Sequence, residues 1–139
     1  MARMFTVEIP VTLVTGEVRV PLMATFAYNT ADPYAVRMAF FVGVAEPVEW
    51  FCGRELLNVG QNSRVGEADI KIWPATNLET GEPITCIKLS SPFGEARFEA
   101  PAARISAFLR RSYALIPAEH ESDVIDMDSE LRGLLGDGS

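Results

Sequence analysis

Apolar side chains occupy every second position along the first thirty residues. Phe5, Val7, Ile9, Val11 and Leu13 alternate with Thr6, Glu8 and Thr12, and after Thr15-Gly16-Glu17 the alternation resumes at Val18, Val20, Leu22, Ala24, Phe26 and Tyr28. A period of two places each set on one side of a pleated strand, so the pattern predicts two half-buried strands joined as a hairpin. From Tyr34 to Val42 both sides are apolar, with Val36, Met38, Phe40 and Val42 on one, Ala35, Ala39 and Phe41 on the other, and Arg37 interrupting. Such a strand needs cover on both faces, from its own domain or from a second subunit. Gly43 to Pro47 turns the chain again, and Val48 to Cys52 predicts a short fourth strand.

Gly53-Arg54-Glu55-Leu56-Leu57-Asn58-Val59-Gly60 breaks the alternation and predicts a short helix, with Gly60 ending it at the left-handed position just past the last turn. Gln61 to Glu67 reads as a polar loop. Ala68 to Trp73 resumes the strand pattern until Pro74, and Ile84–Ser90 and Glu95–Ala100 flank Ser91-Pro92-Phe93-Gly94, whose proline and glycine suit a type I turn. Pro101 suits the first helical position, and from there the spacing changes to three and four through Ala102, Ile105, Phe108 and Leu109, which predicts an amphipathic helix lying across a sheet face. Arg110 and Arg111 are expected in its last turn, where the helix dipole favours cations, and Pro117 ends it. Met127, Leu131, Leu134 and Leu135 form a shorter apolar stripe, expected to be helical when docked. The pattern thus predicts an α+β fold: residues 1–116 form one domain, and residues 117–139 an acidic linker and a C-terminal helix docked on it.

The hinge of this arrangement is Tyr28-Asn29-Thr30-Ala31-Asp32-Pro33-Tyr34-Ala35-Val36. Short polar side chains bond nearby backbone amides and favour turns, while Pro33 fixes its own φ and pushes Asp32 out of the helical region. The corner is expected to set the entry angle of the doubly apolar strand.

Composition narrows the possible functions. Of 139 residues 48% are hydrophobic and 22% charged, which suits one soluble domain with its own core. No apolar run approaches the ~18 residues of a membrane span, and no signal segment opens the chain, so a cytoplasmic location is expected. Cys52 and Cys86 read as buried free thiols. The net charge of −7 disfavours nucleic acid. That charge is uneven, because residues 117–139 hold seven acids against Arg132, while the body carries twelve acids and eleven bases.

No catalytic grouping is visible. His120, the single histidine, lies in the acidic segment, and no Gly-x-Ser-x-Gly elbow or phosphate-cradling glycine motif occurs. Glu46 with Glu49 and Glu95 with Glu99 are carboxylate pairs that read as solvated sheet-face residues. No cofactor and no metal set is expected. Trp50, Trp73, Phe41 and Phe51 could stack single-stranded bases, which leaves a nucleic-acid-binding alternative without the basic groove that usually accompanies it.

Tyr-Asn-Thr-Ala-Asp-Pro-Tyr-Ala-Val at 28–36, Val-Glu-Trp at 48–50, Gly-Arg-Glu-Leu-Leu at 53–57, Ile-Trp-Pro at 72–74, Leu-Ser-Ser-Pro at 89–92 and Glu-Ala-Pro at 99–101 occur in the order and approximate spacing of one family. From about Phe5 to Leu135 the chain resembles the SsgA-like proteins, actinobacterial regulators of sporulation and cell division. The resemblance implies a non-enzymatic adaptor that helps locate or promote assembly of the tubulin-like division protein FtsZ, concentrated at division septa, with related family members as further partners. It also implies a fold similar to the whirly and guide-RNA-binding proteins, with two antiparallel sheets, a long amphipathic helix and a C-terminal helix, assembled as a homotrimer through a shared barrel-like core. The family supplies no catalytic motif. The corner, the shared motifs and the surface aromatics together nominate Tyr28, Asp32, Pro33, Tyr34, Trp50, Arg54, Glu55 and Trp73 as interaction or corner residues.

Overall fold

The alternating segments form two long strands, β1 (Met4–Thr15) and β2 (Val18–Asn29), paired antiparallel from Met4↔Asn29 to Thr15↔Val18. The structure, a computed structural model, describes residues 2–43 and 46–121. Gly16 takes φ +58° in the two-residue turn between these strands, a backbone state that costs other residues about 1 kcal/mol or more. β3 (Ala35–Phe41) and β4 (Val48–Gly53) follow, then helix α1 (Arg54–Val59). The second half contains β5 (Val65–Glu67), β6 (Ile70–Thr76), β7 (Pro83–Ser91), β8 (Gly94–Pro101) and helix α2 (Ala102–Leu115), with a single 3₁₀ turn at Ala118–His120. The expected terminal helix at Met127–Leu135 lies outside the described residues.

All eight strands belong to one antiparallel sheet in the order β4-β3-β2-β1-β8-β7-β6-β5, where two sheets were expected. Each half is a four-stranded meander, and the halves join where Thr12, Leu13 and Val14 pair with Glu99, Phe98 and Arg97. β2 satisfies only one edge of β1; on the other, β8 pairs with the stretch from Thr12 to Val14, which would otherwise remain an open strand edge. The joined sheet curls until Phe40 of β3 and Phe98 of β8 stack, with centroids 4.0 Å apart and planes 14° apart. α2 lies in the curl as its spacing predicts, burying Ile105, Phe108 and Leu109. Phe108 meets Phe5 at 5.3 Å and Phe26 at 5.8 Å.

The doubly apolar strand divides its two faces. Val36, Met38 and Phe40 enter the core, while on the outer face Ala39 is shielded by its neighbours and Phe41 stands exposed opposite Met23. Arg37 Nε donates to Glu49 at 2.7 Å diagonally across this face, and that hydrogen bond holds the Glu49 carboxyl below its ordinary pKa. Phe51 is 61% exposed beside the pair.

Three local expectations are corrected. The polar loop contains β5, a strand of three residues, too short for alternation to register. Pro101 caps α2 in extended backbone, and the helix continues to Leu115, so Arg110 and Arg111 fall short of its last turn. Gly60 is right-handed, with φ −63° and ψ −13°, where a left-handed cap was expected. Close approach explains the glycine: a Cβ there would stand 2.4 Å from Ile72 Cγ2. Gly60→Ala is therefore expected to push α1 off β6 and lower the unfolding free energy by about 1–3 kcal/mol, read from the urea midpoint. An unchanged midpoint would mean that Ile72 can move aside at no cost.

Candidate functional site around Arg54

Arg54 begins α1, where the helix dipole disfavours a cation, so its side chain needs compensation from elsewhere. It is completely buried. Its backbone N–H donates to Tyr34 O at 2.6 Å, which ties the start of α1 to the Asp-Pro corner. The guanidinium lies 4.9 Å from the Tyr28 ring centroid and 4.0 Å from that of Tyr113. Nε and Nη2 donate to Glu121 Oε2 at 3.0 and 2.7 Å, and Nη1 donates to Ser112 O at 3.0 Å. A planar, permanently charged fork suits this arrangement, whereas the point charge of lysine could not span both acceptors and both rings.

Tyr28 extends the network to the corner, donating its hydroxyl to Pro33 O at 3.0 Å. Tyr28 and Pro33 are buried, while Asp32 is exposed and contributes backbone contacts, its N–H donating to Asn29 O at 2.9 Å. The Asn29 side chain accepts from Ala31 N–H at 2.9 Å, the local bond expected of a turn asparagine. Pro33, Tyr28, Arg54, Ser112 and Glu121 thus connect the corner, α1, the end of α2 and the turn beyond it.

Burial pushes the Tyr28 hydroxyl up to about 12 against the opposing effect of Arg54, and burial likewise raises Tyr113. The Cys52 thiol is pushed up to about 12 by burial. A tyrosine in the unfolded chain ionises near pH 10, so between about pH 10 and pH 12 the unfolded state releases this proton first and stability falls as pH rises. Urea midpoints at about pH 9 and about pH 11 should show that fall, and Tyr28→Phe should make it shallower. Equal slopes in both proteins would remove Tyr28 as its source.

Over this buried network runs an open groove. Tyr34, Trp50, Cys52 and Leu56 line one wall and Ala68, Asp69 and Ile70 the other, enclosing about 430 Å³ between the two ends of the curled sheet. An adjoining depression of about 400 Å³ is lined by Tyr34, Glu55, Leu56, Val59, Val65 and Glu121. Tyr34 is 47% exposed and belongs to both. The nominated residues therefore separate into Tyr34 and Glu55 at the surface, Trp50 half-buried against the core in the groove wall, Arg54, Tyr28 and Pro33 beneath, and Asp32 exposed at the corner. Trp73 stands apart on the outer face of β6, with the Arg64 guanidinium 4.4 Å over its ring.

Ser112, Tyr113 and Glu121 were not nominated from the sequence. Glu121 was expected in an exposed linker; its side chain is only 13% exposed and closes the ion pair with Arg54. The available signal was Arg54 itself, a cation at a helix start beside Leu56 and Leu57, which calls for a buried anion without saying which. The paired glutamates hold cations: Glu99 bonds Arg19 and Glu95 bonds Lys88. Among the described residues, no group of three or more His, Cys, Asp or Glu side chains could hold a metal ion.

Comparison with known proteins points the same way as the motifs. Residues 22–121 match the profile of a family described as "Streptomyces sporulation and cell division protein, SsgA". A sporulation-specific cell division protein SsgB of Thermobifida fusca is 50% identical over 86% of this chain and 85% of its own length. The SsgB of Frankia casuarinae is 44% identical over 96% of this chain and 92% of its own. The crystal structure of an SsgA-like sporulation-specific cell division protein from Thermobifida fusca superposes with a TM-score of 0.88 at 47% identity, covering 95% of this chain and 96% of that one.

Proposed function

Because this chain belongs to the SsgA family of sporulation and cell division proteins, we propose that it is a non-enzymatic adaptor of sporulation-specific cell division that helps locate or promote FtsZ assembly at the septum. The coarser role, in the cell division that accompanies sporulation, follows from the relatives. The adaptor reading rests on one observation: the groove between the ends of the sheet, where Tyr34 and Trp50 are presented over a scaffold that Arg54 holds together. Aromatic side chains on a rigid wall supply contact area at little entropic cost, as interface anchors do.

The adaptor is proposed to act as a homotrimer with a shared barrel-like core of the whirly type, in the cytoplasm at division septa. The outer face of β2–β4, with Met23, Phe41 and Phe51 exposed, supports self-association. No helix among the described residues is long and apolar enough to cross a membrane.

Sedimentation with polymerising FtsZ tests the adaptor reading. The protein is expected to pellet with polymer, and Tyr34→Ala to weaken that about tenfold without a change in thermal midpoint. Pelleting no greater than that of a control acidic protein would overturn it. A 15.3 kDa species by light scattering would overturn the trimer.

A further inference from the structure

Outward-facing residues on β6, β7 and β8 form a row of like charge. Lys71 stands directly opposite Lys88, and Lys88 directly opposite Arg97. The row continues through Val14 of β1 to Arg19 of β2. Like charges directly opposite one another destabilise a sheet, and the neighbouring glutamates offset the cost of three in succession only in part. Arg64, laid over Trp73, adds a further cation at the same place. A depression of about 620 Å³ opens here, lined by Arg64, Trp73, Lys88, Arg97 and one acid, Glu95. Glu95 pairs with Lys88 at 3.0 Å, while Glu99 serves both Arg19 and Arg97. Five cations against these two acids and Glu79, whose charge also acts on Arg19, leave the face positive on a chain of net charge −7.

We propose that this face is a site for an acidic peptide and that residues 122–139 of the same chain occupy it. Charge complementarity is the first argument: that segment holds Asp123, Asp126, Asp128, Glu130 and Asp137 against Arg132 alone. Its point of departure is the second. Glu121, pinned by Arg54, lines a depression with Val65, and Arg64, the residue before Val65, carries its guanidinium onto the cationic face. Reach is the third, since the three strand spacings from β5 to β8 span roughly 15 Å, whereas eighteen residues can extend about 60 Å. Nucleic acid fits less well, because Glu95 and Glu99 interrupt the row and the Trp73 ring already carries Arg64. The segment would act as a tethered competitor, so an external acidic peptide reaches the face only by displacing it.

A spin label on the full chain tests this. Cys52 and Cys86 are buried, so Ser129→Cys can be labelled selectively with a nitroxide. At low salt the amide resonances of Lys71, Lys88 and Arg97 are expected to broaden, and to recover in about 0.5 M NaCl, where the screening length falls to roughly 4 Å. Lys71→Gln with Lys88→Gln should restore the same resonances without added salt. Replacing Asp123, Asp126, Asp128 and Glu130 by their amides in the full chain should raise affinity for added hexaglutamate about tenfold or more. Absence of broadening at low salt, or broadening that salt leaves unchanged, would overturn the proposal. Broadening transmitted only to a separate, unlabelled copy would overturn the same-chain assignment.

Discussion

Glu121→Ala is expected to lower the unfolding free energy by about 3 kcal/mol, a large share of what a domain of this size possesses. The substitution leaves Arg54 charged, wholly buried and without its carboxylate. Removing one partner of a buried pair costs about 3–5 kcal/mol; the lower end applies because Glu121 retains 13% exposure, which lets water screen the pair. Arg54→Met should be milder, about 1–2 kcal/mol, since it removes the wholly buried charge, Ser112 O keeps the Ile116 N–H, and the carboxylate left behind, Glu121, still reaches water. Urea unfolding of both variants and of the double mutant measures the difference. If Arg54→Met proves the more harmful, the packing of the guanidinium between Tyr28 and Tyr113 outweighs its charge.

The second large effect is expected at Phe98. This ring is buried at the junction of the two meanders and stacked on Phe40 at 4.0 Å. Phe98→Ala leaves a cavity at the one place where β1 and β8 join the halves, and should cost about 4 kcal/mol. A Phe40→Leu and Phe98→Leu double-mutant cycle should show coupling of about 1 kcal/mol beyond the separate losses, the share belonging to the stacked rings. Additive losses would mean that each ring simply fills its own volume. A drop in the urea slope, with the midpoint little changed, would mean instead that the halves part without unfolding.

The relation of the network to the groove bears on function. Tyr34 offers its side chain to the groove and its carbonyl to Arg54, so one residue belongs to both the surface and the scaffold. Substitutions at Tyr28, Pro33 or Arg54 are then expected to act on a partner indirectly, through the placement of Tyr34. Substitutions at Tyr34 itself or Glu55 would act on the surface, and those at Trp50, which packs against the core, on both. A partner assay read beside a stability assay separates the two groups.

Much of this was legible along the chain because it is local. Alternation from Phe5 to Tyr28 reports a half-buried hairpin, and the spacing of Ile105, Phe108 and Leu109 reports the buried side of α2. Asn29, Asp32 and Pro33 announce a corner through their own backbone preferences, and the short motifs pointed to the family. Periodicity states which face of an element is covered, but it does not state what covers it. For that reason β5 escaped notice in three residues, and Gly60 suggested a left-handed cap when its purpose is contact with Ile72.

What the sequence alone determined is therefore the longer strands and the helices α1 and α2, their buried faces, the corner and the family. The tertiary structure decided that the strands make one curled sheet, joined by three residue pairs between β1 and β8. It also decided that Arg54 is buried and answered by Glu121, 67 residues away. The physical reason is common to both. A cation at a helix start demands an anion, and an open strand edge demands a neighbour, but the chain's own pattern carries no address for either. Only the packing of distant segments around a shared core supplies one.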